Sequence, residues 1–86
     1  MPIIYLLFSQ KFAKFYVGSS RNKDATIRLA HHNSGSVRST KFGRPWTLVE
    51  IEEFESYTQA RKREIFLKSG VGRASIYSKF GYLKKH

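Results

Sequence analysis

Two short runs of apolar and aromatic residues near the start of the chain constrain its fold more than any other feature. Residues 3–8 read IIYLLF, residues 15–19 read FYVGS, and a polar stretch at residues 9–11 separates them. Runs of this length and composition around a short polar segment predict a β-hairpin. The first run is too short to cross a bilayer, and it lacks the basic stretch and cleavage site of a signal peptide. We therefore expect it to be a strand.

The predicted hairpin brings two tyrosines together. If four residues connect the strands and Phe8 faces Ala13, then Tyr5 faces Tyr16. Directly opposed residues lie on one face of an antiparallel pair. Two adjacent phenols are compatible with chemistry, but also with ordinary aromatic packing across the strands, and the hairpin alone does not distinguish these interpretations.

A helix is predicted after the hairpin. Asp24 is suited to cap its start, and Gly35 lies just beyond its expected end near Asn33. Arg28 and His32 are four residues apart, so they share one face of this helix. The helix thereby presents a cation and an imidazole side by side.

A loop and a third strand are expected next. Residues 34–45 are rich in Gly, Ser and basic residues, which indicates an exposed loop. Residues 46–54 alternate in part between apolar and polar side chains and predict a strand. We expect the acids of this region to face water: Glu50, Glu52, Glu53 and Glu55.

The rest of the chain is predicted to be helical. Ser56 and Gln59 have capping-box spacing, which begins a helix that runs to about Lys68 and stops at Gly70. Three residues form a stripe that we expect to point inward: Ala60, Glu64 and Leu67. A third, short helix at residues 74–80 carries its own packing face: Ile76, Tyr77 and Phe80.

These elements follow the order β-β-α-β-α-α, which predicts an α+β fold with a three-stranded antiparallel sheet and helices packed around it. No repeat or linker divides the chain, so we expect residues 1–86 to form a single domain. Cysteine is absent. A disulfide framework, a thiolate nucleophile and a cysteine-based zinc site are therefore excluded.

The charge of the chain indicates its class of partner. Sixteen Lys and Arg against six Asp and Glu give a net charge of +10. A basic surface of this density predicts a polyanion, with nucleic acid the first candidate and an anionic membrane surface the second. No helix combines a continuous basic face with a strong apolar one, which disfavours the membrane. A basic surface that only confers solubility is the simpler alternative.

Five short motifs occur in order along most of the chain: Ile3-Ile4-Tyr5, Tyr16-Val17-Gly18, Arg28-Leu29-x-x-His32-Asn33-Ser34-Gly35, Gly43-Arg44-Pro45-Trp46 and Ala60-x-x-x-Glu64. Each is common by itself, but in this order and spacing the set resembles the GIY-YIG nuclease domain, and especially its short stand-alone members. The sequence departs from the family in three places, one of which is a stretch from Gly18 to Arg28 that is about two residues longer than in close relatives. The first motif begins with Ile3 instead of glycine, and Ser19 stands where the related domain of the bacterial excision-repair nuclease has lysine.

The resemblance implies a divalent-metal-dependent endonuclease that hydrolyses DNA phosphodiester bonds. It implies that Tyr16 or Tyr5 orients and deprotonates the attacking water. Arg28 would clamp the scissile phosphate through its planar guanidinium. Glu64 would hold one Mg²⁺ or Mn²⁺ near the leaving oxygen, weakly until substrate completes the coordination. His32 would assist by hydrogen-bonding the nucleophile or by contacting phosphate.

The expected partner is DNA, although the sequence does not distinguish DNA from RNA, and we expect a cytoplasmic protein with no membrane partner or small-molecule cofactor. Six basic residues are expected to contact the nucleic-acid backbone: Lys14, Arg38, Lys41, Arg44, Arg63 and Lys68. The main alternative is a non-catalytic module on the same fold whose tyrosines stack on bases. In that case Arg28 would be a surface cation, and Glu64 would pair with Lys68 at i,i+4.

Overall fold

The computed structural model describes residues 1–22 and 24–84. Its strands and helices are β1 (Ile3–Ser9), β2 (Lys14–Ser20), α1 (Ala25–Asn33), β3 (Trp46–Glu53), α2 (Tyr57–Lys68) and α3 (Gly70–Phe80). Short 3-10 turns occur at Lys41–Gly43 and Gly81–Lys84. The predicted element order and the predicted α+β class with a three-stranded antiparallel sheet are confirmed.

The central strand explains the unbroken apolar run at the start of the chain. The sheet order is β2-β1-β3, and all seven residues of β1 are buried. Ile4 and Leu6 belong to one core cluster with residues of α2 and α3, whereas Ile3 and Leu7 belong to a second cluster with Ala25 of α1. A strand covered on both faces needs apolar side chains at every position rather than at alternate ones.

The hairpin register differs from the prediction. Phe8 does not face Ala13, because Ala13 lies in the turn with a φ of 52°. Tyr5 consequently pairs with Gly18, two positions along the strand from Tyr16. Side chains alternate with a period of two, so a shift of two residues leaves both tyrosines on the same face of the sheet.

The first helix forms as predicted. The Asp24 carboxylate accepts hydrogen bonds from the backbone N–H groups of Thr26 (3.1 Å) and Ile27 (3.2 Å) at the start of α1. Beyond its end, Gly35 has a φ of +85°, a conformation that favours glycine. The N-cap and the glycine therefore set the limits of α1.

The connection from α1 to β3 is not wholly exposed, contrary to the prediction for residues 34–45. Thr40 and Gly43 are buried within it. The Asn33 side chain accepts a hydrogen bond from the Trp46 backbone N–H (2.6 Å) and donates one to the Trp46 carbonyl (3.1 Å). The Trp46 indole N–H donates in turn to the Thr40 carbonyl at 2.8 Å. These bonds fold the connection back onto the end of α1.

The second helix begins at the predicted cap, where the Ser56 hydroxyl accepts a hydrogen bond from the Gln59 backbone N–H at 3.2 Å. The inward stripe is confirmed, since all three of its members are buried: Ala60, Glu64 and Leu67. This stripe places a carboxylate beneath the helix, against the sheet.

The predicted end of the second helix near Lys68 is confirmed, but the predicted start of the third helix at residue 74 is wrong. Ser69 ends α2 and also caps the start of α3, which therefore begins at Gly70 and not at residue 74. A Cβ atom at Gly72 would collide with the Phe66 carbonyl oxygen. Glycine there allows α3 to turn back tightly over the end of α2.

The acids of β3 are not all directed to water. Glu50 and Glu52 are half-buried on the face covered by α2 and α3. Glu50 forms an ion pair with Lys79 (2.7 Å), and Glu52 forms one with Arg63 (3.0 Å). The prediction holds better for Glu53 and Glu55, which are exposed. No helix within residues 1–22 and 24–84 is long and apolar enough to span a bilayer.

Candidate active site

Two tyrosines and a histidine form the centre of the candidate site. A Cβ atom at Gly18 would collide with the Tyr5 ring, so glycine allows this ring to lie flat across the neighbouring strand. Tyr16 lies on the same face. The His32 ring packs against both tyrosines, with centroid distances of 5.7 Å to Tyr5 and 5.0 Å to Tyr16. The sheet and α1 thus bring three ionisable rings together.

Hydrogen bonds determine how these rings are protonated. Tyr5 Oη lies 2.9 Å from His32 Nε2, and Thr40 Oγ1 lies 2.8 Å from His32 Nδ1. His32 Nε2 is the one hydrogen-bond partner of Tyr5 Oη within residues 1–22 and 24–84, so a phenol that accepted this bond would leave its own buried proton unpaired, and the imidazole proton is therefore on Nδ1, which donates to Thr40. His32 Nε2 is then an acceptor, and the phenol of Tyr5 donates to it.

The electrostatics of the site keep this pair neutral. Burial and, to a smaller extent, the neighbouring Tyr16 raise the pKa of Tyr5 to about 12 against the opposing charge of Arg28. Burial also lowers the pKa of His32, and the Arg28 charge acts in the same direction. At neutral pH the bond therefore joins an uncharged phenol to an uncharged imidazole.

Arg28 is held beside this network by the end of β2. Its Nε donates to the hydroxyl of Ser20 at 3.3 Å, and Ser20 is buried. The side chain is only half-buried, and it shares a face of α1 with His32 as the spacing predicted. The guanidinium is thus anchored on one side and accessible to an anion on the other.

Glu64 presents a buried carboxylate, 5% exposed, that is already fully engaged. It accepts hydrogen bonds from Ser19 Oγ (2.8 Å) and Lys68 Nζ (2.9 Å) and makes a further ion pair with Arg61. Burial alone would raise its pKa, but the bonds from Lys68, Ser19 and Arg61 outweigh burial and lower it. The i,i+4 pair with Lys68 that the sequence allowed is present.

The donor set suits a metal ion that substrate helps to bind. No group of three or more His, Cys, Asp or Glu side chains suited to a metal occurs within residues 1–22 and 24–84. Magnesium commonly uses one or two carboxylates together with water and substrate phosphate. Glu64 is such a carboxylate, and the Arg61 and Lys68 side chains that cover it are about half exposed.

The six basic residues that were predicted to contact the nucleic-acid backbone divide into three groups. Lys14 and Lys68 line one pocket with Tyr16. A second group lies on the connection between α1 and β3: Arg38, Lys41 and Arg44. Arg63 is directed elsewhere, because it forms a two-bond ion pair with Glu52 at 3.0 and 3.3 Å. This pairing gives no support to a role for Arg63 in phosphate binding, which stays a prediction.

Several polar residues of the site were not identified from the sequence. They hold the predicted side chains in place: Ser19, Ser20, Thr40 and Arg61. Ser19 and Ser20 follow the second motif directly, so the end of β2 offered a weak signal. Thr40 offered none, since it lies inside a Ser- and Gly-rich segment where any hydroxyl is expected to face water.

Comparison with known proteins identifies one relationship. A family model described as the GIY-YIG catalytic domain matches residues 1–77. No curated protein and no solved structure gives a significant match. The match includes every motif residue placed in the site above.

Proposed function

Because the chain belongs to the GIY-YIG family, whose members are endonucleases, we propose that it is a divalent-metal-dependent endonuclease that hydrolyses DNA phosphodiester bonds. One observation carries the proposal: the buried phenol of Tyr5 is hydrogen-bonded to His32, and the charges of Arg28 and Glu64 and the ring of Tyr16 all lie close enough to act on it. Lys68 links the two halves of this arrangement, since its Nζ lies 5.7 Å from the Tyr16 ring centroid and 2.9 Å from Glu64.

We assign the proton acceptor for the attacking water to the phenolate form of Tyr16, whose own proton is first lost to solvent, rather than to Tyr5. The hydroxyl of Tyr5 is buried, donates to His32 and has a pKa of about 12, which makes it a poor base at neutral pH. Tyr16 is half-buried and packs against the ring of His32, the residue to which Tyr5 is hydrogen-bonded. His32 and Tyr5 then act as positioning residues that hold Tyr16 against the incoming phosphate.

Arg28 and Glu64 supply the charges that the reaction requires. The guanidinium of Arg28, which is half-buried, would bind two oxygens of the scissile phosphate. A divalent ion on Glu64 would stabilise the charge that develops on the leaving oxygen. Arg61 and Lys68, once displaced from Glu64, would stay close enough to bind the flanking phosphates. The net charge of +10 favours DNA at every stage of approach.

A non-catalytic nucleic-acid-binding module is the second candidate. The observation in its favour is the ion-paired state of Glu64, whose carboxylate already contacts two cations. In such a module Glu64 would stabilise the helix and Tyr16 would stack on a base. This module would bind DNA in the same salt-dependent way but would never cut it.

Turnover in the presence and absence of metal distinguishes the two candidates. The purified chain should convert supercoiled plasmid or branched DNA to cut products with Mg²⁺ or Mn²⁺, and EDTA should abolish the cutting without abolishing binding. An Arg28→Ala preparation serves as the control for contaminating nuclease. DNA that is bound but left intact under every metal condition would support the binding module.

A further inference from the structure

A pocket of about 330 Å³ opens beside the candidate active site, between β2 and the α2–α3 pair. Its floor is apolar and buried, and consists of Val17, Leu67 and Ile76. Pockets that bind ligands range upward from roughly 300 Å³, so this one can take a single small ring system. The size and the apolar floor together point to a flat, largely apolar group.

Two aromatic side chains line the same pocket. The rings of Phe15 and Tyr77 meet edge to face with centroids 5.7 Å apart. Tyr77 keeps 42% of its surface exposed, although its helix position had indicated a packing role. Lys84 Nζ lies 4.0 Å from the Tyr77 ring centroid and steadies the ring. The pocket therefore offers aromatic surface to an incoming group without first having to rearrange the core.

Cations surround the opening. Lys14, Lys68 and Arg73 all line the pocket, and the Nε of Arg73 donates to the Lys68 carbonyl at 3.3 Å. Lys14 and Arg73 make no ion pair within residues 1–22 and 24–84. An occupant that joins a flat ring to a negatively charged backbone matches this combination of an aromatic interior and a basic rim.

The pocket is continuous with the candidate active site. Tyr16 contributes to the pocket and packs on His32, and Lys68 contributes to the pocket and binds Glu64. A nucleotide next to a phosphate bound beside Glu64 and Tyr16 would therefore have its base near this opening. A base inside a duplex is stacked and paired, so only an unpaired or extruded base can enter.

We propose that this pocket binds one unpaired nucleobase adjacent to the cut, so that the preferred substrate is DNA in which a nucleotide beside the scissile phosphate is single-stranded. The inference rests on the proposed function for the position of the cut. The binding of the base does not depend on catalysis. Phe15 and Tyr77 provide stacking surface, while Lys14 and Arg73 neutralise the phosphates on either side of the base.

Equilibrium binding in EDTA tests the pocket without any cleavage. Two otherwise identical duplexes are compared, one with a single unpaired base and the other with an abasic residue at the same position. Stacking of one base contributes enough that its removal should weaken binding by about tenfold. A 2-aminopurine at that position should lose fluorescence on binding, because stacking on an aromatic ring quenches it.

Variants locate the effect. Tyr77→Leu keeps apolar bulk and helix propensity but removes the ring, so it should erase the difference between the base and the abasic residue. Tyr82→Leu is the matched control, because Tyr82 is an exposed tyrosine that does not line this pocket. Arg73→Gln should weaken binding of both duplexes equally.

The two proposals fail in different ways. If the wild-type protein binds the base and abasic duplexes equally, or if Tyr77→Leu retains the difference, the pocket is not a base site even when the protein cuts DNA. If the base is preferred and the preference depends on Tyr77, the pocket assignment stands even when no metal supports cleavage. The wild-type comparison requires no variant, so a Tyr77 variant that does not fold still leaves the inference open to refutation.

Discussion

The phenol of Tyr5 donates a 2.9 Å hydrogen bond to Nε2 of His32, and this bond separates the roles of the two tyrosines. Tyr16 packs on the same imidazole without sharing the bond. The two phenylalanine variants should therefore differ in activity although both remove one hydroxyl from the same cluster.

Replacing Tyr16 with Phe should reduce the rate of DNA cleavage by about 10²-fold or more, as expected for loss of a proton acceptor. Tyr5→Phe loses one positioning hydrogen bond and should cost about tenfold or less. Single-turnover rates with Mn²⁺ on one branched substrate measure both. Equal losses, or a larger loss for Tyr5→Phe, would reverse the assignment.

The free energy of unfolding should fall as the solution is acidified. The pKa of His32 is lowered in the folded protein, so the unfolded chain takes up this proton more readily and stability is lost as pH drops below the ordinary value of 6.5. The lowered pKa of Glu64 adds a loss of the same sign below 4.5. Urea unfolding at several pH values should show both losses of stability. His32→Gln should remove the loss that occurs at the higher pH. His31→Gln should only reduce this loss, because the His31 charge contributes to the lowered pKa of His32 less than burial does.

Glu64→Gln should abolish cleavage while folding and DNA binding survive, because the shape is kept and a negative charge near DNA is lost. Lys68→Gln should instead strengthen metal binding. It removes a cation that lies 2.9 Å from the Glu64 carboxylate and competes with the metal for it. Calorimetric titration of the free protein should then show tighter Mn²⁺ binding than in the wild type. Lys79→Gln, which breaks the distant pair with Glu50, is the control. A Glu64→Gln protein that still cuts would refute the metal assignment.

Arg28→Lys keeps the charge but loses the planar fork, so it should reduce cleavage by about 10²-fold if the guanidinium binds two phosphate oxygens in the transition state. Duplex affinity should change little, because fifteen other Lys and Arg remain. Filter binding and cleavage on one preparation separate the two effects. Normal cutting by this variant would make Arg28 a surface cation.

Gly18→Ala should destabilise the fold by about 1–3 kcal/mol, since the new methyl group would overlap the buried Tyr5 ring. The displaced ring would also move away from His32, so activity should fall with stability. Gly81→Ala is the matched control, because nothing lies within 4 Å of a Cβ placed there. If the two variants unfold at the same urea concentration, the proposed contact between Gly18 and Tyr5 is not significant.

Local patterns predicted the elements of this fold, and long-range contacts account for the errors. Alternation was enough to place Tyr5 and Tyr16 on one face, yet the register depended on Ala13, whose positive φ is uncommon for a residue other than glycine. Glycine at position 70 indicated a break between helices. In the structure Gly70 begins α3, because Ser69 both ends α2 and caps the start of α3.

The candidate site also combines residues that local patterns predict with residues that only long-range contacts position. Residue spacing alone defines the helix faces of Arg28, His32 and Glu64. The sequence was therefore sufficient to place Arg28 beside His32 and to direct Glu64 inward. Thr40 is hydrogen-bonded to Nδ1 of His32 from a turn eight residues away. The Trp46 indole N–H also binds the Thr40 carbonyl, and no local pattern encodes either contact.

The two hydrogen bonds between the Asn33 side chain and the backbone of Trp46 have a consequence for tolerance to mutation. One carboxamide supplies an acceptor at 2.6 Å and a donor at 3.1 Å, as a peptide group of a neighbouring strand would. The first residue of an edge strand is thereby paired without a further strand. Aspartate has no N–H to donate, and glutamine is longer by one methylene. This position should therefore reject both of the residues that most resemble asparagine, and a deep mutational scan should show it to be as restrictive as the buried core.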